Sequence, residues 1–354
     1  MSSTQPLYRT QELAFRTQYA ELKERTRAAG KLLVGTPGTL TKRSGTGYDY
    51  WYRVYYPIPN TQAEDLVGSA DDEPAYRTMR ERIEFSIWVS KQVANLRQLQ
   101  FQVADKKVAS VLVELHNREI FQAGLVVVGT LAYMSWLNEH GAISVAVRTQ
   151  DIDLARRLKL GAPVSFLSSV QATHLPFTSI PGMPSHDPST SVKLPGREGL
   201  RVDVLAPGST LGEIVQVPEL AWHAQTIPYY DYLLEDSRQA AILAGGHCIP
   251  VVLPNIERMI WHKLYSSTKR THEPEKAEKD LIQAVTLAAI IVEQNGVILS
   301  DSVHQAPKAL RAATMARVPR IHALLAQHPE AQSAFGALSI DRQPQTPGLF
   351  RSAV

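Results

Sequence analysis

Between residues 124 and 205, short apolar runs alternate with helical spacing and with loops, a pattern that a mixed layer of strands and helices satisfies. Strand-like runs are read at 124–128, 143–150, 163–170 and 200–205. A helix is expected between the first two, from Leu131 to His140. The stretch Ile180–Gly199 carries four prolines and three glycines and reads as a loop.

The acids of this block fall on strand periodicity. Asp151-Ile152-Asp153 closes the second run. Side chains on a strand repeat every second residue, so both carboxylates leave the same face, about 6.5–7 Å apart at Cα. Asp203 stands in the alternating segment Leu200-Arg201-Val202-Asp203-Val204-Leu205. An acid between two valines is costly to bury alone, so a metal or a cationic partner is expected; the bland reading is an exposed edge strand. Gly129-Thr130 closes the run Leu125-Val126-Val127-Val128. A glycine there permits close approach, and a hydroxyl at a helix N-terminus lies where backbone N–H groups hold phosphate oxygens; the plain alternative is a tight turn. Paired carboxylates suit a hard divalent cation, Mg²⁺ or Mn²⁺, or a metal pair that steadies the entering and leaving oxygens of a phosphoryl displacement.

The flanks differ. Residues 7–29 have helical spacing and end at Gly30. Residues 32–57, punctuated by Gly35, Gly38, Gly45 and Gly47, read as an antiparallel meander whose densest part is Tyr48–Tyr56. Its aromatics, with Lys42, Arg43 and Arg53 nearby, could stack bases of a nucleic acid, although Tyr and Trp are also good strand formers. Residues 59–73 read as a loop, and Glu73 to about Gln122 as helical. From Val217 onward helices are expected to dominate, including one from Asn255 to about Lys269, one from about Glu275 to Gln294 ended by Asn295-Gly296, and one over roughly 305–327. The tail from 331 is expected to be mobile.

The pieces around the three aspartates, in their order, resemble the nucleotidyltransferase fold of the DNA polymerase β superfamily. That pattern is an apolar strand, Gly-Gly or Gly-Ser, a helix, a strand with Asp-x-Asp, and a later strand with a third acid. Here it reads Val126-Val127-Val128-Gly129-Thr130, then Thr149-Gln150-Asp151-Ile152-Asp153-Leu154, then Val202-Asp203-Val204. A closer resemblance is to a bacterial family of uncharacterised nucleotidyltransferase-fold proteins. It is carried also by Tyr50-Trp51-Tyr52, Leu131-Ala132-Tyr133, Pro250–Pro254 and His262-Lys263-Leu264 with Arg270, Lys276, Lys279-Asp280 and Gln283. Only residues 1–30 and the tail after about 300 fall outside it. Thr130 replaces the superfamily's second glycine or serine, and the gap from Gly129 to Asp151 is longer than in its smallest members.

The resemblance implies an α+β fold: a nucleotidyltransferase-fold mixed sheet core with an N-terminal helix and β-meander and a C-terminal helical domain. The expected boundaries are 1–72 for helix and meander, 73–122 for a helical linker region, 123–215 for the catalytic core, 216–330 for the helical domain and 331–354 for the tail. It also implies metal-dependent transfer of an NMP from an NTP, such as ATP, to an acceptor hydroxyl with release of pyrophosphate. Asp151, Asp153 and Asp203 would be metal ligands and catalytic residues. Gly129, Thr130, Lys263, Arg270, Lys276 and Lys279 would bind nucleotide phosphates, with Asp280 orienting a cation. Arg201, two residues from Asp203, reads equally as its ion partner or as a solvated neighbour. The acceptor is open among an RNA 3′ end, a protein hydroxyl and a small molecule. The alternative is a non-catalytic nucleotide- or RNA-binding protein of the same fold, partnered in a toxin–antitoxin pair.

Composition limits the remaining classes. A net charge of +3 over 354 residues does not by itself argue for nucleic acid. The single cysteine, Cys248, excludes an internal disulfide and reads as a core residue. The N-terminus lacks a secretory apolar region, and the longest apolar runs fall short of the roughly 20 residues a membrane helix needs, so a cytoplasmic protein without membrane partners is expected.

Overall fold

The structure is a computed structural model that describes residues 5–45, 47–156, 163–182 and 184–340. The described residues divide into two compact units, one within 9–255 and one of 256–340 together with 5–8.

The first unit begins with β1 (Arg9–Thr10) and α1 (Leu13–Ala29), which ends at Gly30. The meander follows as β2 (Thr39–Ser44), β3 (Asp49–Ile58) and β4 (Thr61–Ser69), paired antiparallel in that order. β4 occupies the expected loop at 59–73: Asn60 takes a positive φ at the turn, and Tyr52 and Tyr55 then pair with Leu66 and Ala63. Arg53 shows why the inner face of the meander is structural. Its buried guanidinium donates to the carbonyls of Val34, Thr36 and Pro37, pairs with Asp65 and lies over the Tyr55 ring. Helices α2 (Glu73–Gln98), α3 (Lys106–Asn117) and α4 (Ile120–Ala123) complete the helical stretch.

The mixed sheet then builds up from β5 (Leu125–Val127), α5 (Gly129–Glu139), β6 (Ala142–Ile143), β7 (Asp151–Arg156) and α6 (Phe166–Gln171). β8 (Thr178–Ser179), β9 (Ser191–Lys193), β10 (Arg201–Pro207), β11 (Ile214–Val217), β12 (Trp222–Ile227) and α7 (Tyr230–Leu234) follow. The main path runs β11-β12-β10-β7-β5, with β9 beside the first half of β10 and β8 beside β9.

Three local expectations change here. The run at 143–150 is a strand only at its start, where Ile143 pairs with Arg9; Val145 is 83% exposed. Strand β7 therefore starts at Asp151 instead of ending near it. The run at 163–170 contains a helix, because Ser165 caps it through the Ser168 amide and Phe166 and Val170, one helical turn apart, are both buried. The loop at Ile180–Gly199 contributes β9 to the sheet.

The expectation of helices from Val217 also fails until residue 256. β13 (Arg238–Ala244) and β14 (His247–Leu253) form an antiparallel hairpin. Its turn is Gly245-Gly246, both at positive φ, as a two-residue turn matching the strand twist requires. Helix α5 is almost wholly buried and docks near this hairpin through polar contacts. Ser135 Oγ donates to the Ala241 carbonyl at 2.7 Å, and Glu139 accepts from Tyr19 and the Ala241 amide while pairing with Lys23. Cys248 is fully buried here, and that burial pushes its thiol up to about 12, as befits a core residue.

The second unit is helical: α8 (Ile256–Lys269), α9 (Pro274–Asn295), α10 (Leu299–Gln305), α11 (Lys308–Leu324) and α12 (Pro329–Ile340). α9 ends on Gly296 in the left-handed region, as the Asn295-Gly296 stop signal predicts. Trp261 on α8 is fully buried, donating to Ser302 Oγ at 2.8 Å and meeting Phe335 edge-on. The N-terminal segment belongs here: Tyr8 stacks on His328 and donates to Glu293 at 2.8 Å. Helix α12 stands where a mobile tail was expected from 331, and 341–354 lie outside the described residues. Among the described residues, no helix is long and apolar enough to cross a membrane.

Candidate active site

Strands β7 and β10 run parallel and in register, with Asp153 opposite Asp203 and Asp151 opposite Arg201. Ile152, Leu154, Val202 and Val204 are all completely buried. The strand period therefore drives these four into the core and turns Asp151, Asp153, Arg201 and Asp203 to the other face. Neighbouring strands lie about 4.8 Å apart, so Asp153 and Asp203 are nearest neighbours across the ladder. Strand β9 extends the row on the far side, with Ser191 opposite Asp203 and Lys193 opposite Arg201. One sheet face thus shows Asp153–Asp203–Ser191, and beside that row Asp151–Arg201–Lys193.

Gly129 sits against this row. The Val128 amide donates to the Asp153 carbonyl at 2.9 Å, and Gly129 opens helix α5 at φ +68°. A Cβ built there would overlap Asp153 Oδ2 and lie 3.0 Å from its Cγ. Both the backbone angle and the Asp153 carboxylate therefore demand glycine. Gly129→Ala is expected to cost about 1–2 kcal/mol from the left-handed backbone alone. It should also displace Asp153, and urea titration measures the combined loss of stability. Thr130 is half-buried in the first turn of α5, where helix N–H groups have no partner within the helix.

Asp203 is held on one oxygen. Ser191 Oγ donates to Oδ1, as does Arg201 Nε at 2.8 Å, and Arg201 Nη2 donates to Ser191 Oγ at 2.8 Å. Arg201 is thus the ion partner of Asp203. Among the described residues, no three His, Cys, Asp or Glu side chains are gathered as a metal-holding group. The backbone nonetheless presents the three carboxylates on one face, with the Asp153 carboxylate filling the space beside Gly129 that a Cβ would take. Carboxylate oxygens are the donor type that a hard divalent cation takes, so the residue types present suit one.

The cations expected to meet phosphate lie in the helical unit and are engaged there. Lys263 Nζ bonds Asp280 Oδ1 at 2.8 Å and Arg270 Nε bonds Asp280 Oδ2 at 2.9 Å, while Lys276 pairs with Glu273. Lys279 is on the same helix and also has an interaction partner. Burial pushes the Asp280 carboxyl up, but Lys263 and Arg270 outweigh it and hold it below the usual carboxylate range. A carboxylate held low contributes stability that is full above its unfolded pKa, about 4, and is lost as pH falls through the folded value. The melting temperature of the wild type should therefore exceed that of Asp280→Asn by a constant margin above about pH 5, narrowing as the pH falls below about 4. Melting curves across that range check it.

Ser191 and Lys193 escaped the sequence reading because four prolines and three glycines marked Ile180–Gly199 as loop. The available signal was Ser191-Val192-Lys193 followed by Pro195-Gly196 and the next strand, the outline of a hairpin.

Residues 106–307, more than half of the chain, match the sequence profile of a family described as Nucleotidyltransferase. The crystal structure of an antigenic nucleotidyltransferase-like protein from Paracoccidioides brasiliensis aligns with 65% of this chain and 92% of its own, at 13% identity and a TM-score of 0.31, a likeness too loose to carry weight. No curated protein matches the chain.

Proposed function

The chain belongs to this nucleotidyltransferase family, and from that premise we propose that it moves a nucleoside monophosphate from a nucleoside triphosphate to an acceptor hydroxyl, releasing pyrophosphate. The observation that supports this best is the in-register opposition of Asp153 and Asp203 beside Gly129. Asp151, Asp153 and Asp203 are the residues that would hold Mg²⁺ or Mn²⁺, and such an ion supplies charge stabilisation at the phosphoryl oxygens. The first-turn N–H groups of α5 and the Thr130 hydroxyl bind phosphate oxygens, favoured by the positive end of the helix dipole. Gly129 keeps the approach open. Asp203 orients the acceptor hydroxyl and takes its proton on Oδ2 as the acceptor oxygen bonds to the α-phosphorus. The bond from that phosphorus to the bridging oxygen breaks, and pyrophosphate departs with the electron pair.

Label position tests the reaction class. With Mg²⁺ or Mn²⁺ and total RNA or cell lysate as acceptor, label at the α-phosphate should become attached to acceptor, and label at the γ-phosphate should appear in pyrophosphate. Acceptor labelled from the γ-position would mean a kinase instead. RNA 3′ ends, protein hydroxyls and small molecules are separated by nuclease, protease and filtration of the labelled product.

A further inference from the structure

We infer that Ser191 is a positioning residue for this reaction, fixing which oxygen of Asp203 faces the reacting groups. The inference rests on Asp203 acting as proposed above. Strand β10 has β9 on one side and β7 on the other at the level of Asp203, with Ser191 and Asp153 as the two in-register neighbours. Ser191 is 2% exposed, and its hydroxyl sits between Asp203 Oδ1 and Arg201 Nη2.

The direction of these bonds follows from donor inventory. A guanidinium only donates, so the bond from Arg201 must end on the serine oxygen. The one hydroxyl proton of Ser191 is therefore spent on Asp203. Arg201 Nε donates to the same carboxylate oxygen. Two hydrogen bonds, one from Ser191 and one from Arg201, thus hold Oδ1, and Oδ2 is the oxygen left for the reacting groups. Among the described residues, every hydrogen bond to the Asp203 side chain ends on Oδ1. An unconstrained carboxylate would rotate between its two oxygens. Here Arg201 alone, a long half-exposed side chain, is a loose clamp, whereas the short buried hydroxyl on a paired strand is a rigid one.

The test compares wild type, Ser191→Ala, Ser191→Cys, Ser191→Thr and Asp203→Asn in the labelled-nucleotide assay, with kcat and KM for the NTP and a melting curve for each. Cysteine is similar in size but a weak donor, and threonine keeps the hydroxyl. Loss of such a supporting contact typically costs about 10- to 100-fold. Ser191→Ala and Ser191→Cys are expected to lower kcat by about that factor with KM within about twofold, and Ser191→Thr to restore most of it. If alanine lowers the melting temperature strongly, the cysteine variant carries the comparison. A kcat within twofold of wild type for both donor-deficient variants, while Asp203→Asn is inactive, overturns the positioning role and leaves the proposed function standing. Threonine no better than alanine also overturns it, since packing would then explain the loss. An inactive wild type removes both readings together.

Discussion

Asp153→Asn is expected to lower nucleotidyl transfer by roughly 1,000-fold, about 4 kcal/mol of barrier, without lowering the melting temperature. Asp153 stands at the centre of the site: its carboxylate lies over Gly129, its carbonyl accepts from Val128, and its neighbour in register is Asp203. Asparagine keeps the shape and the backbone bond but loses the charge that phosphoryl chemistry needs. Asp203→Asn should be as damaging. If the two carboxylates serve one site, the Asp153→Asn/Asp203→Asn protein should be little worse than either single variant, because residues acting as a unit are strongly non-additive. Independent roles would instead multiply the two losses. Urea titration of all three proteins shows whether the fold is kept.

Lys263→Met is expected to have the largest effect on stability, a loss of about 3 kcal/mol measured by chemical denaturation. Lys263 and Asp280 are each nearly buried, with side chains 9% and 12% exposed. Methionine fills the space of the lysine stem but strands the Asp280 carboxylate, and removing one partner of a buried pair typically costs about 3–5 kcal/mol. The loss falls at the low end because Arg270 still donates to Asp280 Oδ2. Replacing both partners separates pairing from packing. Lys263→Met/Asp280→Leu leaves no buried charge unmatched and should recover most of the loss, while Arg270, 39% exposed, turns to solvent. A double variant no more stable than Lys263→Met would mean that Lys263 contributes mainly through its stem.

Local pattern and long-range register explain what could be read in advance. The common face of Asp151 and Asp153 follows from the strand period wherever the strand begins, so it survived the shift of β7 to start at Asp151. That Asp203 stands opposite Asp153 depends on a parallel register between segments some fifty residues apart, which no local window contains. The helices α8 and α9 were legible from Asn255 and Asn295-Gly296, signals that act within one turn. The hairpin of β13 and β14 was missed because short, largely apolar segments such as Ala240–Ala244 and Cys248–Leu253 fit a buried helix as well as a strand. Gly245-Gly246 between them was the arbitrating signal. Asp280 shows the limit for charge: it is read as orienting one cation, and the fold pairs it with two, Lys263 and Arg270, which helical spacing alone does not reveal.

The most direct test of the central claim is the transfer of α-phosphate label from each of the four NTPs, in the presence of Mg²⁺ or Mn²⁺, by the wild type and by Asp151→Ala/Asp153→Ala. The account expects labelled acceptor and pyrophosphate with at least one NTP for the wild type, and neither for the variant. Equal labelling by both proteins, or no labelling by the wild type with any NTP while nucleotide binding is unchanged in the variant, would contradict it.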